Sequence, residues 1–276
     1  MTWHAKLDID YQVESARTVA RHQHTGPLRV LQSLYPEGDA ICHNVLVHPP
    51  GGLVGGDTLA ITVTASGNAH GLITTPGATR FYRSAGDVAV QHTHLTLKDQ
   101  ARLEWLPLEA LAYNGCLAQN RLTLALDAQA ECLGWDITAF GLPSAGLPFV
   151  NGGFLQHIEV PGVWLERGHL DATDTRLMDG PLGLAGQRCM ASLFFVTGTH
   201  LDRHRRETGL ELARHIIAAH ELHATAGATC PNPQVMVVRV LSPLVEPATN
   251  LLRQIWVAWR EHFWQLPATT PRIWST

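Results

Sequence analysis

The chain contains 276 residues, of which 45% are hydrophobic and 16% are charged, and its formal net charge is −4 at pH 7. This length fits one large globular domain or two small ones, and the low charge without a basic stripe argues against nucleic acid as the main partner. Apolar runs are shorter than the roughly 20 residues of a membrane-spanning helix, and the N-terminal sequence has no apolar signal core. We therefore expect a cytoplasmic protein without a membrane partner.

Short strands are predicted along most of the chain, because apolar and polar residues alternate with a period of two. Turn signals at 24–27 and 35–39 bracket the first such run. The pattern is found at 28–34, 59–63, 72–75, 88–97, 103–105, 122–126, 158–160 and 235–240. Many short strands interrupted by Gly and Pro, without a fixed sequence period, predict an all-β architecture that is not a regular repeat.

The most unusual segment is 48–57, with the sequence HPPGGLVGGD. Two prolines fix φ and four glycines allow backbone conformations that other residues resist, so the segment is predicted to follow a tight, non-repetitive path. It leads into the strand at 59–63, whereas phosphate-binding glycine loops open a helix whose N-terminus faces the anion. Asp57 at its end would also repel an anion, so nucleotide binding is not expected here.

Two helices are predicted in the last third of the chain. The first spans about 200–222, and Thr199 with Asp202 resembles a capping box at its start. Its apolar face is assigned to Leu201, Leu212, Ile216 and Ala219.

The second helix spans about 248–265 and has a wide apolar face that includes Trp256 and Trp259. Packing on a sheet and docking of a partner are both open uses of this aromatic face. No linker or low-complexity tract separates the helices from the strands. We therefore predict a single domain over 1–276, whose β-rich body covers about 1–198 and 230–247.

Signatures of catalysis and of tight metal binding are weak. The five cysteines contain no C-x-x-C pair, and no G-x-S-x-G nucleophile motif occurs. A metallohydrolase would need a compact cluster of three ligands around an open coordination position. Some histidines are paired with strand or helix spacing: His22 with His24, His92 with His94, His200 with His204, and His220 with His223. We predict buried thiols and a protein that is not an enzyme.

Four acidic residues lie in apolar settings: Asp57, Glu109, Asp136 and Glu166. A buried carboxylate is unfavourable unless it is paired or contacts a metal ion or water. One interpretation is that each acid caps a turn or pairs with an arginine. The other interpretation concerns the set, because oxygen donors along an interior could hold a divalent ion weakly enough to release it.

Two long segments resemble the hallmark motifs of the urease accessory protein UreD/UreH family, namely 48–57 and 74–84, TTPGATRFYRS. Further blocks resemble the family in the same order at 103–107, 133–136, 165–167 and 271–274. The resemblance implies a mainly β, irregular β-helix-like stack of short-stranded sheets with two C-terminal α-helices. It also implies a non-enzymatic urease maturation protein that joins a UreF-type accessory protein, a UreG-type GTPase and the urease apoprotein while nickel is delivered.

Two hypotheses follow from this resemblance and from the acidic residues. In the first, the protein is a nickel-insertion chaperone whose interior provides a hydrated path lined partly by Asp57, Asp136 and Glu166, with Thr79 and Glu109 as weaker candidates. Ni²⁺ would be a transient cargo, and no cofactor would be permanently bound. In the second, the chain is a structural adaptor that docks partners while nickel travels elsewhere. An interior tunnel would count against the adaptor, and a solid core would favour it.

Overall fold

A computed structural model describes residues 2–275 of the chain. Within this range eighteen strands dominate, which confirms the mainly β prediction. The strands are β1 (His4–Glu14), β2 (Arg17–Thr25), β3 (Arg29–Val30), β4 (Ile41–Val47), β5 (Thr58–Ala65), β6 (His70–Thr74), β7 (Thr79–Phe81), β8 (Ala89–Leu97), β9 (Arg102–Leu106), β10 (Ala110–Ala112), β11 (Leu117–Leu126), β12 (Glu131–Leu142), β13 (Leu147–Pro148), β14 (Gly153–Val160), β15 (Trp164–Asp171), β16 (Cys189–Thr197), β17 (Ala226–Asn232) and β18 (Val235–Ser242). The helices are α1 (Thr175–Asp179), α2 (Arg203–Ala218) and α3 (Val245–Trp264), and 3₁₀ turns cover Pro143–Ala145 and Arg272–Ser275.

The strands form two sheets that face each other across the core. Over the described residues, the first sheet has seven strands in the order β15-β14-β11-β8-β5-β1-β2, and the second joins eleven strands around the path β17-β18-β16-β12-β9-β6-β4-β3. From β4 to β14 the chain alternates between the sheets, and strands from successive turns pair in parallel. This winding confirms the β-helix-like stack that the family resemblance implies.

The connections between the sheets lie along two edges of the stack. One edge carries short turns at 66–69, 98–101 and 127–130. The opposite edge carries longer loops at 48–57, 75–88, 107–116 and 143–152, which include β7 and β10. Because parallel neighbours run in the same direction, all crossings from the second sheet to the first leave at the same edge. The glycine segment 48–57 therefore lies beside 75–88, its counterpart one turn later in the chain.

Helix α3 packs its aromatic face on the second sheet and on α2. Trp256 is 1% exposed and Trp259 is fully buried. The Trp256 indole donates a hydrogen bond to Glu104 Oε2 (2.7 Å), and the Trp259 indole donates to the carbonyl oxygen of Gly209 in α2 (2.8 Å). Core packing of this face is confirmed, and the alternative of a partner surface at these two indoles is wrong.

Helix α2 begins at Arg203, and Asp202 is its N-cap. The Asp202 carboxylate accepts hydrogen bonds from two backbone amides of the first turn (2.9 and 3.2 Å). Thr199 lies outside the helix and donates its hydroxyl to the carbonyl oxygen of Ala128 (3.0 Å). The predicted capping box is therefore wrong. It has Thr199 as the N-cap and Asp202 three residues later, whereas Asp202 is itself the N-cap.

The buried face of α2 also differs from the prediction. Its buried residues are Gly209, Leu210, Ala213 and Ile217. Leu212 and Ile216 flank this face and are half-buried, whereas Ala219 is the exposed C-cap. Leu201 is buried but precedes the first helical residue, so a helical period counted from Leu201 assigns the wrong residues to the buried face.

Candidate functional site

The carboxylate of Asp57 fixes the end of the glycine segment. Asp57 is 3% exposed, and its Oδ1 accepts a hydrogen bond from the backbone amide of Trp3 (2.7 Å). Its Oδ2 accepts a hydrogen bond from the backbone amide of Val54 (2.9 Å). The acid thus caps a turn, which agrees with the structural interpretation, and the segment leads into β5 as its sequence predicts. Each oxygen retains a lone pair that neither amide uses.

A close approach of two backbone segments accounts for Gly52. The amide of Leu53 donates to the carbonyl oxygen of Arg80 (2.7 Å), and the amide of Tyr82 donates to the carbonyl oxygen of Leu53 (2.8 Å). A Cβ atom at Gly52 would lie 2.8 Å from the Arg80 carbonyl oxygen and would overlap the Tyr82 ring. Glycine is therefore required where 48–57 meets 79–82.

We expect Gly52→Ala to lower the free energy of unfolding by about 1–3 kcal/mol, the usual effect of overpacking. Gly77→Ala is the matched control, because Gly77 lines the same cleft and a Cβ atom there would meet no atom within 4 Å. Urea denaturation of both variants measures the difference. Equal stability of the two variants would contradict the close approach at Gly52.

The two segments border a surface cleft of about 210 Å³. Its walls include His48, Gly51 and Gly52 from the glycine segment, and Thr79 and Gln91 from the next turn. His48 is half-buried. Burial lowers the pKa of its imidazole, and the nearby Asp57 carboxylate partly opposes this shift. The imidazole is therefore largely neutral at pH 7 and able to act as a metal ligand.

A small inner cavity lies beside this cleft, in the space between the sheets. It has a volume of about 20 Å³, which is enough for roughly one water molecule. Thr79 and Gln91 line both the cleft and the inner cavity. The inner cavity also contacts Asn120 and Asp136, so Thr79 stands at the junction between the surface and the interior acid.

A row of polar side chains crosses the otherwise apolar space between the sheets. Gln91, Asn120 and Gln156 are register neighbours on β8, β11 and β14 of the first sheet. Asp136 lies opposite on β12 of the second sheet, and the Asn120 side-chain amide donates a hydrogen bond to its Oδ2 (2.8 Å). Thr138 donates its hydroxyl to Asp136 Oδ1 (3.3 Å).

Asp136 is surrounded by protein and still has accessible surface. The accessible part of the Asp136 side chain faces the inner cavity rather than bulk solvent, so the residue is deeply placed without being sealed off. Burial raises the pKa of Asp136, and the nearby Glu166 carboxylate adds to this increase. Hydrogen bonds from Gln156, Thr138 and Asn120 only partly oppose it. A cation beside this carboxylate would relieve the unfavourable burial of its charge.

Glu166 lies at the far end of the polar row. Its Oε1 accepts a hydrogen bond from Ser192 (2.9 Å), the register neighbour of Asp136 on β16. Its Oε2 accepts a hydrogen bond from Arg239 Nε (2.8 Å), whose side chain is 46% exposed. The row of oxygen and amide groups thus extends from the cleft at Thr79, through Asp136, to a second surface at Arg239. We name this row the polar corridor.

Two buried polar atoms next to the corridor have no hydrogen-bond partner among the described residues. They are Thr93 Oγ1 and Gln156 Oε1. Buried polar atoms in folded proteins are generally satisfied by protein groups or by ordered water. Hydration of the corridor would satisfy both atoms.

Glu109 lies outside the corridor. Its backbone carbonyl accepts a hydrogen bond from the amide of Thr79 (2.9 Å). Its carboxylate influences the pKa values of Cys189 and Arg253. Asp57 also lies outside the corridor. It is close enough to His48, which lines the cleft, for its charge to affect the pKa of that imidazole. Three of the proposed path residues, Thr79, Asp136 and Glu166, are therefore brought into one row.

Other potential metal donors are dispersed. Among residues 2–275 no group of three or more His, Cys, Asp or Glu side chains is arranged to hold a metal ion. Burial raises the pKa of Cys116 and of Cys189 to about 12, so both thiols remain protonated. His92 and His94 share a face of β8 as predicted, with ring centroids 4.0 Å apart.

The other histidine and cysteine predictions are partly corrected. The rings of His22 and His24 share a face of β2, as predicted. His200 precedes α2, and His220 and His223 follow it, so neither predicted helical pair is formed within the helix. Four of the five free cysteines are buried and Cys230 is half-buried. The compact three-ligand site of a metallohydrolase is not formed by the described residues.

The two sheets and the polar row between them place the chain in a class of β-helix-like proteins with a polar layer inside the core. A family model described as UreD urease accessory protein matches residues 4–275, and the chain belongs to this family. Its role is therefore that of an accessory protein in urease maturation. Among the described residues, no helix has the length and apolar character needed to cross a membrane.

Several curated relatives match over their full lengths. The urease accessory protein UreD of Polaromonas sp. strain JS666 is 68% identical over 275 residues, with 100% of both chains covered. The protein of the same name from Polaromonas naphthalenivorans strain CJ2 is 67% identical over 275 residues, again with full coverage. That of Methylibium petroleiphilum strain PM1 is 47% identical over 296 residues, with 100% of both chains covered.

Proposed function

We propose that this protein carries Ni²⁺ through the polar corridor while it scaffolds the accessory complex on the urease apoprotein. The UreF-type protein and the urease apoprotein dock on it, and the UreG-type GTPase joins through the complex. Nickel is a cargo that meets oxygen and amide ligands in succession and is released from each. The protein carries out no covalent chemistry, and it acts in the cytoplasm.

The observation that supports this proposal is the row of polar groups that starts at the surface cleft and reaches Asp136 between the sheets. Thr79 lines both the surface cleft and the inner cavity, and the cavity contacts Asp136. Carboxylate, hydroxyl and amide oxygens bind divalent ions more weakly than thiolates do and allow faster release. Water in the same space would satisfy the oxygens of Thr93 and Gln156, which have no hydrogen-bond partner among the described residues.

Thr79→Leu tests the corridor where the surface cleft meets the inner cavity. We expect this variant to reduce urease activation by roughly tenfold or more, because leucine replaces the hydroxyl with a larger apolar group where the cavity holds about one water. The measurement is the activity of urease matured in cells that express the variant, with co-purification of urease and the accessory proteins as the check on assembly.

Thr64→Leu is the matched control, because Thr64 on β5 belongs to the outward-facing set of that strand and lies outside the cleft and the inner cavity. Normal activation by both variants would contradict the corridor and favour the adaptor hypothesis. One observation already favours that second candidate: the inner cavity has room for about one water, and neither Glu166 nor Arg239 is among the residues that line it. Under the adaptor hypothesis, loss of activation would be accompanied by loss of co-purification.

A further inference from the structure

His48 occupies the mouth of the cleft that leads to the corridor. It follows directly on β4 and begins the glycine segment. Its carbonyl oxygen accepts a hydrogen bond from the Gly51 amide (2.8 Å), which closes a turn across two prolines. Proline at 49 also restricts the backbone of His48 to extended conformations. The backbone conformation at His48 is therefore constrained on both sides.

The His48 ring makes no hydrogen bond to any residue in the described part of the chain. Three other buried or half-buried histidines differ, since His43, His70 and His157 each lie within 2.9 Å of a glutamate oxygen. A half-buried imidazole that faces a cleft and has no protein acceptor or donor keeps both nitrogens available to a ligand. The negative charge of the nearby Asp57 carboxylate acts on this ring and favours a cation beside it.

The chemistry of the corridor leaves a specificity problem that His48 can solve. Thr79, Asp136 and Glu166 supply oxygen ligands, which suit hard cations such as Mg²⁺ as well as Ni²⁺. An imidazole nitrogen favours Ni²⁺, Cu²⁺ and Zn²⁺ over Mg²⁺. Because no group of three donors surrounds His48, a single imidazole there would hold the ion loosely and release it.

We propose that His48 is the ligand that selects a borderline transition-metal ion over Mg²⁺ at the mouth of the cleft. The ion binds the imidazole together with water molecules and exchanges onto the oxygen ligands of the corridor. This inference rests on the proposed function, and it adds a residue that determines specificity rather than another member of the path.

Two variants of His48 separate metal capture from metal selectivity. His48→Gln removes the imidazole, and His48→Asp replaces it with an oxygen ligand of the kind that Mg²⁺ prefers. The assay activates purified urease apoprotein with the complete accessory complex at limiting Ni²⁺, with and without excess Mg²⁺. We expect His48→Gln to lower activation about tenfold at limiting Ni²⁺ and to recover when Ni²⁺ is raised. We expect His48→Asp to activate urease without excess Mg²⁺ and to lose activation when excess Mg²⁺ is added.

His94→Gln is the control, because it removes an exposed imidazole on β8 that lies outside the cleft. Thr79→Leu is measured in the same assay to separate the two proposals. If Thr79→Leu blocks activation while both His48 variants behave like the wild type with and without Mg²⁺, the role of His48 is overturned and the corridor stands. If Thr79→Leu has no effect, the corridor itself is overturned. Thermal unfolding and co-purification of each variant ensure that the comparison concerns folded, assembled protein.

Discussion

Replacing Glu104 with Gln is expected to lower the free energy of unfolding by about 3 kcal/mol, the lower end of the range for breaking a buried ion pair. Glu104 and Arg260 are both fully buried, and Glu104 Oε1 lies 3.2 Å from Arg260 Nε and 2.8 Å from His70 Nε2. Its second oxygen accepts the hydrogen bond from the Trp256 indole (2.7 Å). The substitution leaves Arg260 with one carboxylate partner, Glu37 at 2.7 Å, instead of two.

The pH dependence of this effect has a defined sign. Burial acts to raise the pKa of Glu104, but His70, Arg260 and Trp256 outweigh burial and hold the pKa below its ordinary value. A lowered carboxyl pKa contributes stability above the unfolded-state pKa, and this contribution is lost as the pH falls through the folded-state pKa. We therefore expect the difference between the wild type and Glu104→Gln to be largest near neutral pH and to shrink below about pH 4.

Glu207→Gln is the matched control for the same chemical change. Glu207 pairs with Arg203 one turn away on the exposed surface of α2, where the Arg203 side chain is 82% exposed. Exposed pairs of this kind contribute little to stability, because solvent screens their charges. Chemical denaturation at several pH values measures the free energy of unfolding of the wild type and of both variants. A Glu104→Gln variant as stable as Glu207→Gln would mean that the buried network contributes nothing to the fold.

The alternation of apolar residues was sufficient to predict the strands and the all-β class. It also contained a signal for the corridor that is visible only with the register. Asn120 occupies the inward phase of β11 between Ala118 and Leu122, and Gln156 occupies the inward phase of β14 between Phe154 and Ile158. A polar residue in the apolar phase of neighbouring strands indicates a polar layer inside the core.

The rest of the site depends on pairing that periodicity does not contain. Asn120 and Gln156 are 36 positions apart and become neighbours only through the parallel pairing of β11 with β14. Asp136 reaches Asn120 because the two sheets face each other. Apolar sequence neighbours identify both Asp57 and Asp136 as candidate buried acids. They do not show that Asp57 caps a turn whereas Asp136 lines a cavity.

Asp136→Asn is expected to reduce urease activation by roughly tenfold or more and, at the same time, to raise the thermal stability of the protein. Asparagine keeps the size of the side chain and can still hydrogen-bond to Asn120 and Thr138, but it cannot carry the negative charge that a cation in the corridor would meet. A loss of activation together with a gain in stability separates a functional acid from a structural one, because a structural acid would lose both.

The gain in stability follows from the raised pKa of Asp136, which burial causes and Glu166 increases. A raised carboxyl pKa means that ionisation opposes folding, so the wild type loses stability as the pH rises from the unfolded-state pKa to the folded-state pKa. The asparagine variant does not titrate, and its advantage in Tm should grow over this interval and then stay constant. Asp8→Asn is the control, since Asp8 has an exposed side chain on β1 paired with Lys6 at 2.9 Å. A variant at Asp136 that is less stable than the wild type at pH 7, or one that activates urease normally, would remove Asp136 from the nickel path.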